Sequence, residues 1–272
     1  MIKYKTGRQK ISDFLSNNKK SAKSSSVCFK NKEYNLKLLQ PNSRLKVSIS
    51  LHLYKHSPVN SYLLFIDTET TAVPKRWDLP YSDTVNWPSA VQVSWIICSE
   101  DGTEVKKEDR YIFEEDLTIS EESFRVHGIT EEFLRSRGKS RREVLEALAD
   151  DILKYRPLII GHFLEFDLHI LAADFLRAEL PNPFEDSRFY CTMLKSRQYT
   201  SGSSKTGMRL PELSRYLLDE MSEPSHNAMI DAAATARCFF EIRRQNQLSP
   251  KDLEEKYKLI REKLHFPVLK PL

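Results

Sequence analysis

The segment YLLFIDTETT, residues 62–71, runs through Leu63, Leu64, Phe65 and Ile66 and ends in two carboxylates, Asp67 and Glu69, one residue apart. On an extended strand, residues two apart share a face, so the pair can present both carboxylates together. Held side by side they repel, and a divalent cation is a natural counterion because hard carboxylate oxygens suit magnesium or manganese. The same residues can also simply mark the polar exit of a strand, and a tripeptide alone does not decide. A further carboxylate, Asp167, lies in the apolar run PLIIGHFLEFDLHILAADFL, where an unpaired charge is costly to bury. It needs a partner or caps a helix, and Asp174 in the same run shows that acids here need not be functional. In SHNAMIDAAATARCFF, His226 precedes Asp231 by five residues. Five steps of about 100° put them on different faces of a regular helix, so His226 belongs on the loop or first turn and Asp231 on the helix. Taken alone, His226 reads first as a surface histidine beside an Asn227 cap. The run Ala232, Ala233, Ala234 lets that helix approach a sheet closely.

The elements that must position these groups follow from hydropathy and turn signals. Strands are expected at 62–67, at VQVSWIIC (91–98) and at RYIFEE (110–115), with an Asp101-Gly102 hairpin turn between the last two and a long Pro-rich loop, 73–90, between the first two. Ser140 and Glu143 form a capping-box pattern opening a helix to Tyr155. PLIIG reads as a short buried strand before the helix FDLHILAADFLRAEL, and another short strand fits RFYCTM. Helices at about 210–219, 227–247 and 250–264 complete the chain, the last opening with Ser249-Pro250. Neighbouring strands followed by strands alternating with helices imply an α/β fold with a mixed sheet.

At 272 residues the chain can bury a sizeable core, and its 40% hydrophobic and 29% charged content is that of a globular protein. No apolar run approaches the roughly 18–20 residues of a membrane helix, and MIKYKTGRQK lacks a secretory apolar core, so an intracellular, cytoplasmic location is expected, nucleoid-associated if bacterial. Cys28, Cys98, Cys191 and Cys238 form no Cys-x-x-Cys pair and read as reduced thiols. Residues 1–60 hold 13 Lys and Arg against two Asp and Glu, so within a formal net charge of +4 the remainder carries −7. A basic arm of this kind either meets nucleic acid or is a solubilising tail. Residues 1–26 are read as a basic, disordered tail, 27–60 as an extension with alternating strand-like segments at 33–39 and 45–54, 61–248 as the main domain, and 249–272 as a terminal helix and tail. In SGSSKTGMRLPEL no Gly-Lys-Ser/Thr follows four residues after the first glycine, which rejects a phosphate-binding ATP loop.

Taken together, Asp67-x-Glu69, Asp167 in GHFLEFD and His226-x4-Asp231 in HNAMIDAAATA resemble the motifs of the DEDD superfamily of 3′–5′ exonucleases. They look like its histidine-containing, DnaQ-like branch, and are similar to the proofreading (epsilon) subunit of DNA polymerase III. The resemblance covers roughly residues 62–245. It implies a ribonuclease H-like, five-stranded mixed sheet flanked by helices, with Asp67, Glu69, Asp167 and Asp231 holding two divalent cations, Mg2+ or Mn2+, and His226 as general base. FRVHGIT resembles a segment of proofreading relatives in which His127 shapes the nucleotide pocket, although a plain turn suits it equally. Thr68, Thr70 and Phe166 are further substrate-binding candidates. The chain departs from the family at Phe163, commonly Asn, and at Ala72, often Gly. Trp77 and Trp87 either stack on bases or pack the loop. The implied activity is removal of nucleoside monophosphates from a single-stranded or frayed DNA 3′ end in repair or proofreading. The alternatives are RNA 3′-end trimming and a nucleic-acid-binding or polymerase-accessory scaffold. Single-stranded 3′ ends are the implied partner. RQKISDFL in the arm loosely resembles peptides that dock on sliding clamps, which adds a clamp or polymerase as a second candidate partner.

Overall fold

The computed structural model describes residues 62–200, 207–220 and 226–265, together with the backbone of three strands in the amino-terminal unit. Residues 1–58 and 59–272 form separate compact units. In the first, β1 (Ser24–Phe29), β2 (Lys32–Lys37) and β3 (Ser48–Leu51) make an antiparallel sheet in that order. β1 begins within the stretch read as a tail. The RQKISDFL segment and the Lys205 loop lie outside the described residues.

The second unit is built on a five-stranded mixed sheet of order β6-β5-β4-β7-β8. Its strands are β4 (Tyr62–Thr70), β5 (Ala90–Ser99), β6 (Glu104–Tyr111), β7 (Leu158–Gly161) and β8 (Arg188–Cys191). β4 is the central strand, antiparallel to β5 and parallel to β7. The helices are α1 (Glu121–His127), α2 (Glu131–Arg137), α3 (Arg141–Tyr155), α4 (Leu164–Arg177), α5 (Thr192–Ser196), α6 (Leu210–Leu218), α7 (Ala228–Arg244) and α8 (Pro250–Arg261).

Strand alternation divides the core. Leu64 and Ile66 face one layer, with Val144, Leu148, Leu168 and Ile170 of α3 and α4. Leu63 and Phe65 face the other, with Met229, Ala232, Ala236 and Phe239 of α7. The alanines give α7 its close seat against β4, since Ala232 is fully buried.

Two parts of the sequence reading needed correction. The third strand of this domain lies at 104–111 rather than 110–115. The Asp101-Gly102 turn is tight, with Gly102 at φ 94° and the Asp101 carboxylate accepting from Thr103 N–H at 3.0 Å, so pairing resumes at once. β6 is mostly exposed and polar, so its apolar alternation was hidden. The FRVHGIT region also contains helices. Ser120 and Thr130 cap α1 and α2 by accepting from Ser123 and Phe133 N–H at 3.1 and 3.0 Å. Each helix has only seven residues, too few to show a helical apolar period.

Candidate active site

β4 carries polar residues past the end of the core on both faces. Asp67 and Glu69 continue the Leu63 and Phe65 face toward α7, and Thr68 continues the Leu64 and Ile66 face toward α4. Asp231 lies in the first turn of α7 and Asp167 in the first turn of α4, so two helix N-termini, the positive ends of their dipoles, supply acids to one place. Oxygen atoms of Asp67, Glu69 and Asp231 all lie within 4.8 Å of one another. Asp167 joins them from the α4 side and is 2% exposed. Its Oδ1 accepts the Thr68 hydroxyl proton at 2.8 Å.

The electrostatics record the crowding. Burial raises the Asp67 carboxyl well above its usual range, reinforced by Asp167, Asp231 and Glu69. Glu69 is pushed up to about 8 by burial and then by Asp231 and Asp167. Asp167 is pushed up to about 7, mainly by burial, with the Thr68 hydrogen bond opposing the shift. Four acids gathered this way favour a divalent cation, which neutralises the charge that protons otherwise neutralise.

His226 is exposed, at φ 41°, just before the Asn227 cap that accepts from Met229 N–H at 3.1 Å. It is therefore on the loop, with Asp231 on the helix. His127 lies near it: burial holds the His127 imidazole below its ordinary pKa, and the neighbouring His226 adds to this. His127 Nδ1 accepts from Ile129 N–H at 2.9 Å, which leaves Nε2, 3.2 Å from Thr70 O, as the donor. His127 thus braces the end of β4.

The remaining candidates occupy other positions. Thr68 and Thr70 are buried, and the Thr70 hydroxyl donates to Ala72 O at 2.7 Å, so both hydroxyls are engaged with the protein. Phe166 is half-buried and stacks on Phe163 with centroids 6.2 Å apart. Phe163 stands at the N-cap of α4 with φ 62° and ψ 36°. That left-handed backbone suits Asn better than Phe. Trp87 is 1% exposed and donates to Leu79 O and Pro80 O at 3.1 Å, so it packs the loop. Asp174 is structural: it is fully buried, receives Ala90 N–H at 2.8 Å, and pairs with Arg177 and Arg141 at 2.8 and 3.1 Å.

One residue escaped the sequence reading. Gln92, opposite Glu69 in the β4–β5 register, is fully buried. Its Nε2 donates to Asp109 Oδ1 at 2.8 Å, and its Oε1 accepts from Ala228 N–H at 3.2 Å, fixing the start of α7. Gln92 and Ser94, polar residues two apart in the mostly apolar AVQVSWIIC, were the available signal.

The catalytic-looking cluster, the strand order and the family's sequence model agree. The model for the RNase T exonuclease family matches residues 64–239, more than half of the chain, and the chain belongs to that family. It is an exonuclease-family hydrolase with a ribonuclease H-like fold. No curated protein sequence matches it. Among solved structures it is similar to Exonuclease I of E. coli in complex with a dA16 oligonucleotide, at 17% identity and TM-score 0.55, covering 72% of this chain and 42% of that one. The complex of the same enzyme with a dT13 oligonucleotide has 18% identity and TM-score 0.56, covering 69% and 42%. The zinc-bound form of the E. coli enzyme with single-stranded DNA has 18% identity and TM-score 0.57, covering 72% and 42%. The chain therefore spans less than half the length of these structures, and the likeness establishes the fold.

Proposed function

We propose that this chain is a divalent-metal-dependent 3′–5′ exonuclease that removes nucleoside 5′-monophosphates from single-stranded or frayed DNA ends, in repair or proofreading. The observation that carries this reading is the convergence of Asp67, Glu69 and Asp231 within 4.8 Å, with Asp167 alongside. A purely scaffolding fold has no chemical need for four mutually repelling acids. The oligonucleotide complexes of the E. coli relatives support a single-stranded DNA partner.

Asp67, Glu69, Asp167 and Asp231 would hold two cations, and their hard oxygen donors fit Mg2+ or Mn2+. Bound there, divalent cations supply charge neutralisation at the scissile phosphate and make the attacking water more acidic. His226, on the loop just before α7, would accept the proton of that water as its oxygen attacks phosphorus. The bond from phosphorus to the 3′ oxygen breaks, and the leaving oxygen takes a proton to become the new 3′ hydroxyl. Thr68 orients Asp167 and favours its ionised form, and His127 fixes the end of β4 where the nucleotide would sit.

The test is stepwise shortening of 5′-labelled single-stranded DNA and matched RNA with Mg2+ or Mn2+, using wild type beside Asp67→Ala and His226→Ala. Loss of a 3′ ladder in both variants is the expected result, with DNA the faster polymer. A faster RNA ladder would move the function to RNA trimming, and no ladder on either polymer overturns the nuclease reading.

A further inference from the structure

The helix that carries Asp167 begins without a cap from its own N-cap side chain. Phe163 stands there with φ 62° and makes no side-chain bond to the first turn of α4, where Ser, Thr, Asp or Asn would supply one. Other elements hold the turn instead. The Trp77 ring lies 5.9 Å from Phe163, 6.2 Å from Phe166 and 5.5 Å from His169, centroid to centroid. Trp87 stacks on His169 at 5.0 Å, completing an aromatic wall of the 73–90 loop against α4. Glu165, in the same first turn, pairs with Lys263 at 2.5 Å.

Both holds lead to the segment just after α8. His265 Nε2 lies 2.6 Å from Trp77 O, and since a carbonyl only accepts, the imidazole donates. The His265 backbone N–H donates to the Tyr81 hydroxyl at 3.3 Å, and that hydroxyl lies 3.0 Å from His169 Nδ1. Lys263 thus fastens α4, and His265 fastens the loop that walls it. This segment lies beyond residues 64–239, the part of the chain matched by the family model.

We propose that Lys263 and His265 are positioning residues for Asp167, acting through Glu165 and Trp77 to fix the first turn of α4. Glu165 and Phe166 immediately precede Asp167, so a shift of the turn carries the acid with it and changes its place in the cluster. Groups that orient a metal ligand from behind change metal affinity by about 10–100-fold when removed. Here the contacts act one residue further out, from a half-exposed Lys263 and an exposed His265, which scales the expected effect down. The proposal rests on the exonuclease reading for the role of Asp167, whereas the brace itself is read in metal-free protein.

Hydrogen exchange of the full-length protein in EDTA, followed by mass spectrometry, is the first measurement. His265→Ala and Lys263→Met should each speed exchange of the 164–168 amides by about threefold or more, while α3 exchanges as in wild type. His265→Gln, whose amide still donates to Trp77 O, and Lys263→Arg, which keeps the ion pair, should restore wild-type exchange. Calorimetric titration should show Mn2+ binding weakened by about three- to tenfold in the alanine and methionine variants and recovered in the conservative ones. Unchanged exchange at 164–168, faster exchange spread equally over α3, or unchanged Mn2+ affinity overturns the positioning role. Wild-type protein that binds no Mn2+ would instead overturn the metal-site reading, and the exchange rates would still decide the brace.

Discussion

Thr68 donates its hydroxyl proton to Asp167 Oδ1 across 2.8 Å, joining the central strand to the first turn of α4 behind the carboxylate cluster. The bond favours the ionised form of a carboxyl that burial pushes up to about 7. Thr68→Val removes it while keeping the shape. The variant should need a higher Mg2+ concentration for half-maximal activity at neutral pH, and its pH–activity curve should move upward. Its stability should fall by about 1–2 kcal/mol. Thr68→Ser should restore both properties, and a wild-type metal requirement in the valine variant would refute the role.

The raised carboxyl pKa values have a consequence for stability. Between the ordinary carboxylate range and about 8 for Glu69 and about 7 for Asp167, the metal-free folded state holds protons that the unfolded chain has released. Stability is therefore fully present at low pH and is lost as pH rises through that window, by up to about 1.4 kcal/mol per pH unit for each proton involved. Thermal melts in EDTA should show Tm falling from about pH 5.5 to 8.5. Saturating Mn2+ should flatten or reverse the trend, because the cation binds the deprotonated acids.

Removing one acid should separate stability from activity. Asp67→Asn relieves repulsion in a site where burial and three neighbouring acids oppose ionisation. The metal-free variant should melt above wild type at pH 8, each kcal/mol gained appearing as roughly 2–4 °C. Activity should fall by about 10³-fold or more with the loss of a cation ligand. A variant that is both inactive and less stable in EDTA would contradict this account.

His226 is exposed on its loop, so His226→Ala should leave Tm unchanged. The chain-shortening rate should drop by about 10²–10⁴-fold, the usual range for a general base. Single-turnover kinetics at neutral pH is the measurement.

Gln92 ties β5 to the start of α7 through Ala228 N–H, and Asp231 lies one turn further along. Gln92→Leu leaves that buried N–H without its partner, while Asp109 Oδ1 keeps the Ser94 hydroxyl at 2.7 Å. A stability loss of about 1–3 kcal/mol is expected, chiefly from the buried N–H left unsatisfied. The metal requirement should rise as Asp231 loses its fixed position, which a Mn2+ titration of activity would show.

The acids were legible because each interrupts an apolar run: Asp67 ends LLFI, and Asp167 follows FLEF. Charge in such places demands a reason, and order along the chain supplied it. The central strand, α4 and α7 were legible for the same cause, since buried elements write strong patterns. β6 was not, because its exposed face carries Glu104, Lys107 and Asp109, and short α1 and α2 owe their existence to caps rather than to burial. The Thr68 and Gln92 contacts span 99 and 136 residues. Such pairings depend on which strand face meets which helix, which single-residue character does not encode.

The 71–90 segment has a neck as well as an aromatic wall. Thr71 N–H donates to Ser89 O at 2.9 Å, Ser89 N–H to the Thr71 hydroxyl at 3.1 Å, and Arg177 reaches Pro88 O at 3.1 Å while paired with buried Asp174. Because the neck is closed by its own bonds and clipped to α4, residues between can change in length or composition without disturbing the sheet. Descent with modification can then act on the tip that bears Trp77 while the carboxylates stay where they are, so that an old reaction acquires new clientele.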